Sequence, residues 1–195
     1  MAKMIDNKPS WKGEGKVWES LSANLPGDNV VYNQREVNGR EYDFCVMAEN
    51  LGLVIIEVKG WDPDKIDVRG VDNIIVDGYD APQTSPKKQA RAYRFAILNK
   101  IVEKYNASPL VLDMVCYPFI SQEQYVRTKL DIVSEPEYTI FKEDIEDGKK
   151  LNEKIQHLFT LNKFIPHADF SYDLMVRIRK QLEPDFKLSV IDNKN

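Results

Sequence analysis

Cysteine, histidine, long apolar runs and an excess of basic charge are all missing or scarce in this chain. The two cysteines, Cys45 and Cys116, each sit inside an apolar, strand-like run. A disulfide between them can be drawn on paper; the preferred reading is two reduced core thiols in a cytoplasmic protein. Cys45 has no His or Cys near it in sequence, and His157 and His167 form no ligand spacing with each other, which argues against a zinc site or a thiol nucleophile. No window approaches the ~18 consecutive apolar residues of a membrane helix, and the opening MAKMIDNKPSWKGEG lacks a signal-peptide core. No membrane partner is expected. Lys and Arg number 27 against 31 Asp and Glu, a net charge of -4. Binding a polyanion by bulk attraction is therefore excluded, and any nucleic-acid contact has to come from a local basic patch or a bound metal. Internal repeats and low-complexity tracts are absent.

What is present fits a globular α/β protein. At 195 residues, 43% of them hydrophobic, the chain is long enough to bury a real core. Glu14 to Ala23 reads as a helix with Val17, Trp18 and Leu21 on one stripe. Three strands follow, Val30 to Val37, Tyr42 to Ala48 and Leu53 to Lys59, the first two joined at Asn38-Gly39, a strong hairpin signal. Residues 65–78 read as a small second hairpin. Ser85-Pro86, an N-cap followed by a favoured first helical residue, opens a helix reaching about Tyr105. That helix is apolar around much of its circumference and is expected to be buried. Leu110 to Ile120 and Tyr138 to Phe141 read as strands, and the pattern from Glu143 onward is helical, with a break near Pro166 and a second helix around Tyr172 to Leu182. This order predicts an α/β sandwich with a mixed sheet.

The unusual stretch is 52-GLVIIEVKG-60, where the most apolar strand ends on Glu57 and Lys59. Strand side chains alternate, so these two share a face with Leu53 and Ile55. If the hairpin folds symmetrically near Asn50, residues whose numbers sum to about 100 face one another, pairing Cys45 with Ile55 and Asp43 with Glu57. Opposed residues have Cβ atoms roughly 4.5–5.5 Å apart, where like charges repel. A cation has to join them, either Lys59 or a divalent metal; Mg²⁺ takes one or two carboxylates plus waters and phosphate oxygens. Glu14 lies on the core-facing stripe of the first helix and points the same way, although an acid there also complements the helix dipole. Gln89 and Tyr93 share one face of the long helix. Lys87, Lys88, Arg91 and Arg94 crowd its first turns, either as a solvated face or as an anion-attracting surface. Taken alone, Glu57-x-Lys59 has a bland explanation, a same-face salt bridge.

The ordered set Asp43, Glu57-Val58-Lys59 and Gln89-x-x-x-Tyr93 resembles the PD-(D/E)XK nuclease superfamily. With 13-GEGKVWESL-21, NGREYDFCV and GLVIIEVKGW it is similar, more narrowly, to the NERD (nuclease-related) domain over roughly residues 10–105. The resemblance implies a restriction-endonuclease-like core, a mixed β-sheet flanked by helices, over residues 1–142. Residues 143–195 would form extra C-terminal helices or a linker to a further domain. It implies a metal-dependent nuclease acting on phosphodiesters, most of all in DNA. Asp43, Glu57, the Val58 carbonyl and Glu14, directly or through water, would bind Mg²⁺ or Mn²⁺. Lys59 would orient or deprotonate the attacking water, and Gln89 and Tyr93 would position Lys59 or the phosphate. Lys87, Lys88, Arg91 and Arg94 would contact nucleic acid, and a fused or associated helicase or ATPase would be a partner. Tyr42 stands where the superfamily motif has Pro, at a variable position. The competing expectation is a non-cleaving nucleic-acid-binding or regulatory module on the same fold.

Overall fold

The computed structural model describes residues 1–183. Its centre is a six-stranded mixed sheet: β1 (Lys3–Met4), β2 (Asn29–Val37), β3 (Arg40–Ala48), β4 (Gly52–Val58), β7 (Val111–Cys116) and β8 (Thr139–Ile140), in that spatial order. The β2–β3–β4 meander is antiparallel, whereas β1, β7 and β8 join parallel to their neighbours. A separate two-stranded hairpin, β5 (Ile66–Gly70) and β6 (Asn73–Val76), lies between β4 and the long helix. Helices α1 (Lys12–Asn24), α2 (Pro86–Tyr105), α3 (Gln122–Arg127), α4 (Lys142–Glu146), α5 (Gly148–Asn162) and α6 (Tyr172–Leu182) complete the described chain. This is the restriction-endonuclease-like arrangement of a mixed sheet between helical layers.

Strand alternation sorts the core into two faces. Val54, Ile56 and Val58 join Val17 and Leu21 of α1 and Leu151, Ile155 and Leu158 of α5. Leu53 and Ile55 join Ile97 and Ile101 of α2 and Leu174, Met175 and Ile178 of α6. A third cluster, built on Trp61, Tyr117, Tyr125 and Phe141, closes the sheet end nearest the hairpin. Helices after Lys142 thus cover both faces of the sheet. Cys45 and Cys116 are free, buried and in different clusters, so they form no disulfide.

Several turns follow local chemistry. Asn38 and Gly39 both take positive φ, 51° and 75°, as a tight hairpin turn requires. Ser85 accepts from the Lys88 N–H and caps α2, with Pro86 at its start. Gly52, at φ 148°, presses so closely on the next strand that a Cβ would stand 2.1 Å from the Leu110 carbonyl oxygen. Two expectations need correction. The strand predicted to Ile120 stops at Cys116, because the Tyr117 N–H turns to the Ile140 carbonyl and Pro118 follows. The helix α2 is not buried all round: Phe95 is 47% and Val102 41% exposed, since only one side of it meets the sheet. Between β7 and β8, α3 carries a capping box at Ser121 and Gln124. The weakly patterned stretch 184–195 lies outside the described residues.

Candidate active site

The expected register holds where the sheet is regular. Pairs from Ala48↔Gly52 to Phe44↔Ile56 run along β3 and β4, with Cys45 opposite Ile55. The ladder then stops, so Asp43 and Glu57 are not a ladder pair. Instead, Asp43 Oδ2 accepts the Val58 backbone N–H at 2.7 Å, taking the place of the next strand-to-strand bond. On the other side of β3, Gln34 interrupts the pairing with β2: Asn33↔Phe44 and Arg35↔Tyr42 pair, but Gln34 and Asp43 between them do not. Gln34 has φ 52°, a left-handed backbone that costs a non-glycine residue about 1 kcal/mol. The alternation slips there in both strands, so that Tyr32 and Val37, like Tyr42 and Cys45, reach the same core face. Asp43 sits at this slip, at the point where two neighbouring strands open.

The opening leads into a cavity of about 520 Å³, whose lining includes Glu14, Asp43, Glu57, Val58 and Lys59. Glu14 reaches it because Gly13 lets the first turn of α1 approach the end of β4; a Cβ at Gly13 would stand 3.2 Å from the Gly60 Cα. Gln34 Nε2 donates to Glu14 Oε2 at 3.0 Å. Lys59 Nζ pairs with Glu57 Oε1 at 2.9 Å. Glu57 is only 6% exposed, yet Lys59 is its single ion-pair partner among the described residues.

The electrostatics follow from crowding acids in a poorly solvated place. Burial first, and then the Glu57 charge, push the Asp43 carboxyl up to about 7. Burial also raises Glu57, opposed by Lys59, and when protonated Asp43 hydrogen-bonds to it. Glu14 is raised by burial and by Asp43. Tyr93 is not among the residues lining the cavity but packs against the α2-side core, and its hydroxyl is raised by burial and by Glu57 and Asp43. Three carboxyl groups thus face one ammonium, a cluster short of positive charge.

Gln89 does not line this cavity: its Nε2 donates to Thr84 Oγ1 at 3.0 Å, and its Oε1 is buried without a partner among the described residues. Nor do the basic residues of α2 make one exposed track. Lys87 is 7% exposed and pairs with the buried Asp113 at 3.0 Å, stacking its ammonium over Tyr138. Burial pushes the Lys87 ammonium down, against the raising effect of Asp113. Arg94 pairs with the same Asp113 at 3.2 Å, and Lys88 pairs with Asp72. Arg91 is exposed. The expectation of a four-residue nucleic-acid surface is corrected: Asp113, buried on β7, draws Lys87 and Arg94 inward.

Sequence reasoning passed over four residues at the site. Gln34 gives no signal, since nothing in its type marks a left-handed turn of the backbone. Trp11, Tyr79 and Phe119 also line the cavity, and Trp61, 3% exposed and packed in the third core cluster, forms part of its wall. A Trp at the N-cap of α1, where Ser, Thr, Asp or Asn is favoured, is the one irregularity legible beforehand.

Among known proteins, no curated protein and no solved structure matches the chain. A family model does: the description "nuclease-related domain" matches residues 9–118, from just before α1 to the end of β7, and so covers every acid and lysine of the cavity. By that match over more than half of its length, the chain belongs to the NERD, or nuclease-related domain, family.

Proposed function

We propose that this chain is a divalent-metal-dependent nuclease that hydrolyses phosphodiester bonds, with DNA as substrate. One observation carries the reading: the half-buried Asp43 and buried Glu57 carboxylates meet Lys59 at the open ends of two strands, with too little positive charge to neutralise them. Among the described residues no three His, Cys, Asp or Glu side chains form a group that holds a metal ion. The donor set would be the two carboxylates and the Val58 carbonyl, with Glu14 directly or through water, and the rest left to solvent and substrate. Mg²⁺ and Mn²⁺ suit such a set, because they keep waters and take phosphate oxygens. Bound there, the metal supplies charge neutralisation at the phosphoryl group and a water acidified for attack.

The chain's own residues do the rest. Asp43 is held by the Val58 N–H, which fixes one oxygen and leaves the other toward the cavity. Lys59, anchored 2.9 Å from Glu57, orients the attacking water and offsets charge developing on the phosphate. Tyr93 stands in the field of both carboxylates and takes the phosphate or Lys59 as partner. Gln89 supports this only by turning its unpartnered Oε1. Free, buried thiols accord with a cytoplasmic setting, and a helicase or ATPase acting on the same strand is the partner this chemistry suits.

The test is cleavage of supercoiled plasmid with Mg²⁺ or Mn²⁺ by the wild type, Lys59→Ala and Glu57→Ala. Cleavage lost in both variants is the expected result; equal cleavage by all three would sink the proposal. A second reading rests on the Glu57–Lys59 pair, which satisfies itself without metal: a non-cleaving, nucleic-acid-binding or regulatory module. Plasmid binding without cleavage, and no rise in Tm at millimolar Mn²⁺, would identify it.

A further inference from the structure

The rim of the carboxylate cavity is aromatic and only thinly basic. Trp11 is 72% exposed and Tyr79 55% exposed, and both line the cavity that holds Asp43 and Glu57. Neither is loosely attached. The Trp11 carbonyl accepts the Gly15 N–H at 2.8 Å, anchoring the α1 N-terminus, while its side chain caps nothing. A Ser, Thr, Asp or Asn at this position would cap the helix, a stabilisation the Trp forgoes. Tyr79 follows Gly78, at φ 94°, and its N–H is held by the Val76 carbonyl at 3.1 Å. Phe119 carries the ammonium groups of Lys12 and Lys16, each 5.6 Å from its ring centre, and Lys16 is shared with Glu146.

A duplex is gripped mainly through its phosphates, commonly by 6–10 basic contacts, roughly. This chain has a net charge of -4, and on α2 Lys87, Lys88 and Arg94 are committed to Asp113 and Asp72. Few cations stand at this rim, Lys12 and Lys16 beside Phe119 among them, so charge alone is a thin source of grip there. Exposed aromatic rings add to it by stacking on base faces. Faces of paired bases are covered by their neighbours, and exposing one costs a few kcal/mol; an unpaired strand offers them freely.

Resting on the nuclease reading above, we propose that the site takes single-stranded nucleic acid, with bases stacked on Trp11 and Tyr79 and the intervening phosphate delivered to Asp43, Glu57 and Lys59. Lys12 then guides the backbone at the Phe119 edge of the cavity.

Anisotropy with a labelled 12-residue oligo-dT and a duplex of equal length, in Ca²⁺ to hold off cleavage, tests this. The single strand should bind at least about tenfold tighter, and Trp11→Ala and Tyr79→Ala should each weaken it about tenfold without changing duplex binding. Trp11→Phe, which keeps a ring, should retain most of the affinity. Equal binding of duplex and single strand, or unchanged affinity in both alanine variants with an intact thermal transition, would overturn the proposal. Running the same titrations in Lys59→Ala separates the two claims. Cleavage in Mn²⁺ with single-strand affinity unchanged in Trp11→Ala and Tyr79→Ala refutes the stacking rim alone; a stacking-dependent single-strand affinity with neither plasmid nor oligo-dT cut in Mn²⁺ refutes the nuclease alone.

Discussion

Replacing Asp43 by Asn should stabilise the metal-free protein at pH 8, although it removes a residue at the centre of the site. The carboxyl stands at about 7 rather than the ordinary 3.8, through burial and the Glu57 charge. Ionising it in the fold therefore costs up to about 4 kcal/mol, at 1.36 kcal/mol for each unit. Water entering the open cavity reduces this, and a net gain of about 1–2 kcal/mol is expected. Asn keeps the essential geometry, since its side-chain oxygen accepts the Val58 N–H as Asp43 Oδ2 does, and its amide donates toward Glu57. The pH dependence has a definite sign. A carboxyl whose value is raised by folding makes the folded state hold more protons, so stability falls as pH rises from about 4 to about 7 and is level above. Urea unfolding in EDTA at pH 5 and pH 8 measures it: the advantage of Asp43→Asn should be larger at pH 8. Adding Mn²⁺ should raise the Tm of the wild type and leave the variant unchanged. A variant less stable than wild type at pH 8, or a difference independent of pH, would show that the carboxylate is satisfied by its neighbours and refute the charge-deficit argument.

Three further outcomes are expected. Lys87→Met should cost about 3–5 kcal/mol in urea unfolding, because Asp113, 1% exposed, loses its nearest cation, while nucleic-acid affinity stays unchanged; weaker binding at full stability would contradict its inward role. Gln34→Gly should be about 1 kcal/mol more stable than Gln34→Ala, since both lose the bond to Glu14 but only Gly relaxes the left-handed backbone. Equal thermal stability of the two would count against strain at that position. Gly52→Ala should lose more than about 4 kcal/mol, or fail to fold, because no shift short of parting β4 from Leu110 admits the methyl group; a native-like circular dichroism melt would show the contact to be looser.

The parts of this fold that were legible in the sequence are those written by short-range chemistry. Alternation and the Asn38-Gly39 turn give the meander, Ser85-Pro86 gives the start of α2, and symmetry about Asn50 gives the β3–β4 register as far as Phe44↔Ile56. The meeting of Asp43 and Glu57 followed from extending that register, Lys59 from alternation along β4, and Glu14 from the stripe of α1. The extension was right about who gathers and wrong about how, because the two strands part and Asp43 bonds to the backbone instead of facing Glu57 across a ladder. No residue type announces the slip at Gln34; a glycine there would have. Lys87 was misread because its partner lies on β7, 26 positions away in the chain, beyond any local pattern. The two-residue β1 is too short to show a period, whereas 121-SQEQ-124 held a capping-box signature that could have announced α3.

The helices beyond Lys142 settle how this family likeness should be handled at the bench. Leu151, Ile155 and Leu158 seal one broad side of the sheet, and Leu174, Met175 and Ile178 the other. Kinship is written in residues 9–118, but a polypeptide trimmed to that span would keep only α1 and α2 over its central strands and wet the rest of both greasy flanks. Such a fragment should clump or melt at room temperature, so a failed assay on it would say nothing about chemistry. The smallest piece worth purifying runs through Leu182.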